Sequence, residues 1–357
     1  MKRITASLLR VSVWLAISLG GLTSVADAAD KLVEPTVVLE GLANPTSLTI
    51  SPDGELFVAE SGAGRVVHVV GDQPEALITD FAVVSAQLAG RQLAFGPTSL
   101  VALDRQTLAV GHQDSATESA RISVFRLPAP GESIPASEAI AEFVPRAGQP
   151  RPTSEKAAVT SLVLRSGEGN DSKSIYATLA TASEAGWVGQ VDWRSGRAMG
   201  RIDPFSRARP ATDTRWPRAL ALSTQSPNQY LVVADAGQPS ADRDSQISFH
   251  DLKSRLILLQ IPIGLYDVSG VAYSERTPYL YVLDLAMANP QEGGLFRLDQ
   301  TIANGRQSVK AVKIAALESP TALAFAPNGC LFVTTRGPVT REGEPPSGKL
   351  LMFDTGL

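Results

Sequence analysis

Asn44-Pro45-Thr46-Ser47-Leu48-Thr49-Ile50-Ser51-Pro52-Asp53-Gly54-Glu55-Leu56-Phe57-Val58-Ala59-Glu60 is the stretch on which the fold turns. A Pro-Thr-Ser lead-in runs into a short apolar segment. Ser51-Pro52-Asp53-Gly54 then breaks the chain, because Pro fixes φ and Asp-Gly tolerates the left-handed positions of a hairpin. Leu56-Phe57-Val58-Ala59 follows, apolar and too short for a helix. Arg65 to Val70 adds a third strand-like run.

The same pattern recurs along the chain. Its lead-ins are Pro45-Thr46-Ser47, Pro97-Thr98-Ser99, Val159-Thr160-Ser161, Pro217-Arg218-Ala219, Val268-Ser269-Gly270 and Pro320-Thr321-Ala322, spaced 52, 62, 58, 51 and 52 residues apart. Each is followed by a second apolar strand and a third. Weaker fourth strands are expected near Ala76–Phe81, Ala139–Val144, Met199–Ile202, Leu256–Ile261 and Val309–Ala315. Such a period is that of a propeller blade, so the expected fold is an all-β, six-bladed β-propeller. The last repeat lacks a fourth strand because the chain ends at Leu357, and Glu34 to Glu40 is β-branched and unassigned. That N-terminal strand is expected to complete the last blade and remove an open edge. A short helical turn is expected at Ser85–Leu93, and Gly131–Lys156 and Phe205–Arg215 are expected as surface insertions.

Ahead of the repeats, Lys2, Arg3 and Arg10 precede the apolar Val11 to Val25, and Ala26-Asp27-Ala28 offers a small-x-small cleavage pattern. Residues 1–28 therefore read as a signal peptide and 31–357 as the propeller, secreted or periplasmic, with no membrane span after cleavage. The net charge is −4, with no Lys/Arg stripe to track phosphates, which argues against nucleic acid. Cys330 is the single cysteine, so no intrachain disulfide can form; it reads as a small core residue.

The first repeat, through Ser61-Gly62 and Arg65-Val66, resembles an NHL repeat and a blade of the gluconolactonase/strictosidine-synthase-like propellers; Pro320 to Phe353 shares that look. The resemblance implies the propeller fold and, in the lactonase branch, a divalent cation held in the central channel by a Glu at a lead-in with Asn and Asp from other blades. The matching positions here are Thr46, Thr98, Thr160, Arg218, Ser269 and Thr321, none a carboxylate, with Asn44 and Asp267 just outside them. An Arg there would repel a metal.

Site candidates come from the position after each second strand: Glu60, His112, Leu179, Asp235, Asp284 and Thr335. Glu60, His112, Asp235 and Asp284 are titratable and come from different blades, so they could converge on one ligand at the channel mouth. The same carboxylates could instead brace turn backbone. Arg336 could pair an anionic ligand. His68 and His250 read as ordinary strand residues, and Trp187, Trp193 and Trp216 as packing. No Gly-x-Ser-x-Gly, His-Glu-x-x-His or EF-hand pattern is present.

The sequence thus favours a monomeric, exported binding module for a protein, peptide or glycan at the channel mouth, with neither metal nor cofactor. The alternative is a metal-dependent lactonase/esterase-type hydrolase with a rearranged channel site, holding Ca²⁺ or another divalent cation. A quinone-bearing redox propeller ranks third, because no basic and aromatic cluster stands out.

Overall fold

Strand follows strand through the chain, each too short and too closely bracketed by turns to become anything else. The computed structural model describes residues 32–357 apart from 89–90, 115–118, 146–157, 167–172, 181–185, 195–197, 206–215, 224–228, 238–241, 275 and 337–346; at 85–88 and 91–95 it describes backbone alone. Among these residues lie six antiparallel meanders of four strands. Their first strands are Pro45–Ile50, Ser99–Asp104, Ala158–Ser166, Pro217–Leu222, Val268–Tyr273 and Pro320–Phe325. Their outermost strands are Gln73–Thr79, Ala141–Pro145, Met199–Pro204, Ile257–Pro262, Arg306–Ala316 and, for the last meander, Thr36–Leu42.

The N-terminal strand pairs antiparallel with Gly348–Phe353, setting Val37 opposite Leu351 and Glu40 opposite Lys349. The Lys349 ammonium lies 2.7 Å from Glu40 Oε1, and Leu42 and Leu350 are fully buried. The first strands of successive meanders touch one another, and the first strand of the last touches that of the first, which closes the cycle. Six apolar clusters fill the spaces between neighbours in turn: Phe57 and Ile78 with Leu108, Ile122 with Ile175, Tyr176 with Val233, Val232 with Val282, Tyr281 with Val333, and Leu350 with Val58. An all-β, propeller-like fold follows.

Packing on both faces explains why the second strands are apolar runs rather than alternating ones. Leu56–Glu60 and Leu280–Asp284 are buried at every residue. Each Val or Leu so enclosed contributes about 1.5–3 kcal/mol relative to exposure. At the first turn, Gly54 takes φ +89° and donates its N–H to the Ser51 carbonyl, while Ser51 Oγ accepts the N–H of Asp53 and Glu55.

Three expectations need correction. Residues 85–93 are no helical turn: Val84–Leu88 and Arg91–Phe95 form a hairpin, in which Gln87 faces Gln92. The segment from Gly131 is bound to its neighbours rather than lying as a free surface insertion. Ile134–Pro135 pairs parallel with Gln73–Thr79, and Ala141–Pro145 pairs parallel with Met199–Pro204, so the second and third meanders join at their outer edges. Phe205 is fully buried with its ring 5.0 Å from that of Tyr176, so the insertion placed at 205–215 starts in the core; residues 206–215 lie outside the described residues, as does the leader at 1–28.

Candidate functional site

The start of each meander's first strand is shaped by one recurring irregularity. Register shifts fall between Pro45 and Ser47, Val159 and Ser161, Pro217 and Ala219, Val268 and Gly270, and Pro320 and Ala322. Thr46, Thr160, Arg218, Ser269 and Thr321 are thus the extra residue of a β-bulge, a device that re-aims a side chain out of its ladder. Thr98 holds the corresponding place just ahead of Ser99–Asp104.

Four of these hydroxyls reach the next meander. Thr46 donates to the Pro97 carbonyl (3.1 Å), Thr98 to Val159 (2.6 Å), Thr160 to Pro217 (3.2 Å) and Ser269 to Pro320 (2.8 Å). Thr321 turns instead to Thr334, with 2.9 Å between the hydroxyl oxygens. The fourth meander breaks the pattern with Arg218, half-buried and placed between Asp235 and Asp267. Burial pulls its guanidinium below the ordinary value, and the two carboxylates pull the other way.

The residues singled out from the sequence do not all converge on one neighbourhood. Glu60, 1% exposed, accepts the Ala43 N–H at 2.8 Å and the Arg65 Nε–H at 2.5 Å. Asp235 Oδ1 accepts the N–H groups of Trp216 and Gly237. Asp284 accepts those of Tyr266, Asp267 and Ala286. All three carboxylates therefore hold the loop that feeds the first strand of their own meander. His112 stands apart: its Nε2 is 2.8 Å from Ser123 Oγ, its ring 5.2 Å from that of Phe81, and burial lowers its pKa. The Arg336 backbone N–H donates to Ser319, and the side chain is half-buried.

The structure does gather Asp235 and Asp284 into one charged cluster, around two residues that the sequence pattern did not rank. Asp267 interacts electrostatically with Arg218, Asp284 and Asp244; its Oδ2 accepts the Met287 N–H at 2.8 Å. Burial, with Asp284 adding to it, pushes Asp267 up to about 6, and burial likewise raises Asp284. Arg243 stacks over the Tyr266 ring at 4.7 Å and reaches Glu292 at 3.4 Å. A signal for Arg218 was present, since it alone breaks a run of Thr and Ser at equivalent places. A groove of about 570 Å³ lies elsewhere, between Val37–Glu40 and Asp72–Pro74, and brings no such polar set together.

No protein-family model matches the chain, and no curated protein does. Solved structures do. A glucose dehydrogenase-type oxidoreductase of Thermus thermophilus is 18% identical with a TM-score of 0.58, over 89% of this chain and 99% of that one. The PQQ-bound form of an aldose sugar dehydrogenase from Streptomyces coelicolor is 15% identical with a TM-score of 0.57, over 90% and 96%. A glucose dehydrogenase is 15% identical with a TM-score of 0.54, over 91% and 100%. At these identities the likeness is one of fold.

These structures overturn the expectation of no cofactor, since the architecture is one in which PQQ is housed. PQQ is a tricarboxylate quinone and needs several cations, whereas the cluster here sets Arg218 among Asp235, Asp267 and Asp284. Arg65 and Arg121 are already opposite Glu60, Asp114 and Glu142. Among the described residues, this donor set does not fit PQQ. Among the described residues no group of His, Cys, Asp and Glu fits a metal ion, and no helix is long and apolar enough to cross a membrane.

Proposed function

We propose that this chain is an exported, six-bladed β-propeller of the NHL/gluconolactonase–strictosidine-synthase-like kind, one blade per meander, that binds a peptide or glycan at the channel end beside Arg218. Residues 1–28 direct export to the periplasm or beyond, and 31–357 form the propeller. One observation carries the reading. Where the other meanders place a hydroxyl that latches onto a protein group, the fourth places a guanidinium with no hydrogen bond or close ion pair to any described residue. A half-buried cation whose donors meet no hydrogen-bond acceptor among the described residues is arranged for an acceptor from outside the chain. Asp235 and Asp284 shape this end by fixing the loops around it.

Thermal shift against panels of oligosaccharides and short peptides tests the reading. At least one ligand should raise Tm, and Arg218→Met should abolish that rise while leaving the circular dichroism of the free protein unchanged. Shifts that survive Arg218→Met, or none in either panel, would sink it.

A second reading, prompted by the fold shared with the dehydrogenases and opposed by the donor set around Arg218, is a sugar oxidoreductase with a bound quinone. Its test is dye reduction by the protein supplied with PQQ, Ca²⁺ and an aldose. Turnover above a protein-free blank would put this reading first.

A further inference from the structure

The nature of the ligand can be taken further, resting on the ligand-binding reading above. Arg65, Arg121 and Arg243 each face a carboxylate within bonding reach. Arg218 does not. Its neighbours spend oxygens on backbone: Asp235 Oδ1 on Trp216 and Gly237, Asp267 Oδ2 on Met287. A guanidinium carries five N–H donors in a planar fork, and two oxygens in one plane satisfy that fork best.

We infer that the ligand presents a single carboxylate, seated on the Arg218 guanidinium by paired hydrogen bonds. One negative charge is the limit, because Asp235 and Asp267 already act on Arg218 and Asp284 adds its own charge at Asp267. A phosphate dianion would meet more repulsion than attraction. The nearby Ser269 hydroxyl donates to the Pro320 carbonyl, and the Thr160 hydroxyl is engaged by the Pro217 carbonyl and the Thr178 hydroxyl. The Ser269 oxygen can only accept, so the rest of the ligand should bring O–H or N–H groups. A sugar acid and the C-terminal end of a peptide both meet this description.

Asp267 sets the pH dependence. Facing it are Arg218 from the fourth meander, Asp284 from its own, and Asp244 from the lead-in to Gln246–Asp251, beyond which Arg243 faces Asp284. With its carboxyl pushed up to about 6, Asp267 takes a proton as pH falls through that value, and one repelling charge disappears. The ligand's own carboxylate, with a pKa of about 3.5, stays ionised throughout.

The test is titration of the purified protein with D-glucuronate, D-glucose, triglycine, triglycinamide and inorganic phosphate, followed by tryptophan fluorescence at about pH 7.5 and about pH 5. Glucuronate or triglycine should bind ~10-fold or more tighter than its neutral counterpart and tighten by up to ~10-fold at the lower pH. Which of the two binds identifies the source of the carboxylate. Arg218→Met should abolish binding, Arg218→Lys should keep part of it, and Asp267→Asn should remove the pH dependence. Equal, Arg218-dependent binding of acid and neutral probes would overturn the carboxylate assignment and leave the channel-end ligand site standing. Phosphate binding as tight as glucuronate would overturn the single-charge limit. No binding by any probe, or binding indifferent to the Arg218 variants, would overturn both.

Discussion

Asp267 and His250 are two buried titratable groups whose contributions to stability vary with pH in opposite directions. Asp267, 3% exposed, has its folded pKa raised from 3.8 to about 6. The folded protein therefore holds more protons than the unfolded chain between those values, and stability falls as pH rises through this window. His250, 3% exposed with Nε2 2.9 Å from Ser248 Oγ, is lowered by burial from 6.5 to about 4. Here the unfolded chain binds the extra proton, so stability is lost as pH falls from 6.5 toward 4. The two slopes oppose each other in the wild type. Asp267→Asn should raise stability above pH 6 by on the order of 1–3 kcal/mol and unmask the His250 slope, measured as urea midpoints across pH 4 to 7. A variant with a wild-type pH profile would show that Asp267 is ionised normally.

At the scale of elements, much was legible. The six lead-ins, hairpin turns and apolar second strands report their structure because each is a local signal, fixed by Pro, Gly and run length. All five fourth strands predicted within the repeats lie within three residues of those observed at both ends; the largest offsets are at Gln73–Thr79 and Arg306–Ala316, each of which starts three residues early. The bulges were not legible, because a register shift depends on how two strands meet rather than on either alone. Hence the pattern nominated Glu60, Asp235 and Asp284, which hold backbone, and ranked Arg218 only as a misfit to a metal site. The bulge hydroxyls make their own prediction. Thr98 bonds the buried carbonyls of Gly111 and Val159, so Thr98→Val should lower stability by about 1–3 kcal/mol. Arg218→Met breaks no such bond but takes away the cation that acts on the buried Asp235 and Asp267, so it should lower Tm modestly and most above pH 6. Gly111→Ala should cost more than either, since a Cβ there meets Ser99 Oγ and falls 2.7 Å from Val159. Chemical denaturation of the three variants checks the order.

For the whole molecule, the join between Thr36–Leu42 and Gly348–Phe353 ties the two ends of the polypeptide into one sheet. Deleting residues 32–42 should uncover the Leu350 edge and withdraw Leu39 and Leu42, costing at least about 3–6 kcal/mol. It should also bring concentration-dependent association, because an unpaired edge recruits other strands. Sedimentation velocity beside urea unfolding would read both, and a monomer of wild-type midpoint would contradict the closure.

The claim on which the functional account stands is that Arg218 is held open for a ligand. A crystal structure of the protein grown with D-glucuronate tests this most directly. The account predicts ligand oxygens within hydrogen-bond distance of the Arg218 guanidinium, with Asp235 and Asp267 still on their backbone partners. A guanidinium folded into a bidentate pair with Asp235 or Asp267, and no ligand beside it, would contradict it.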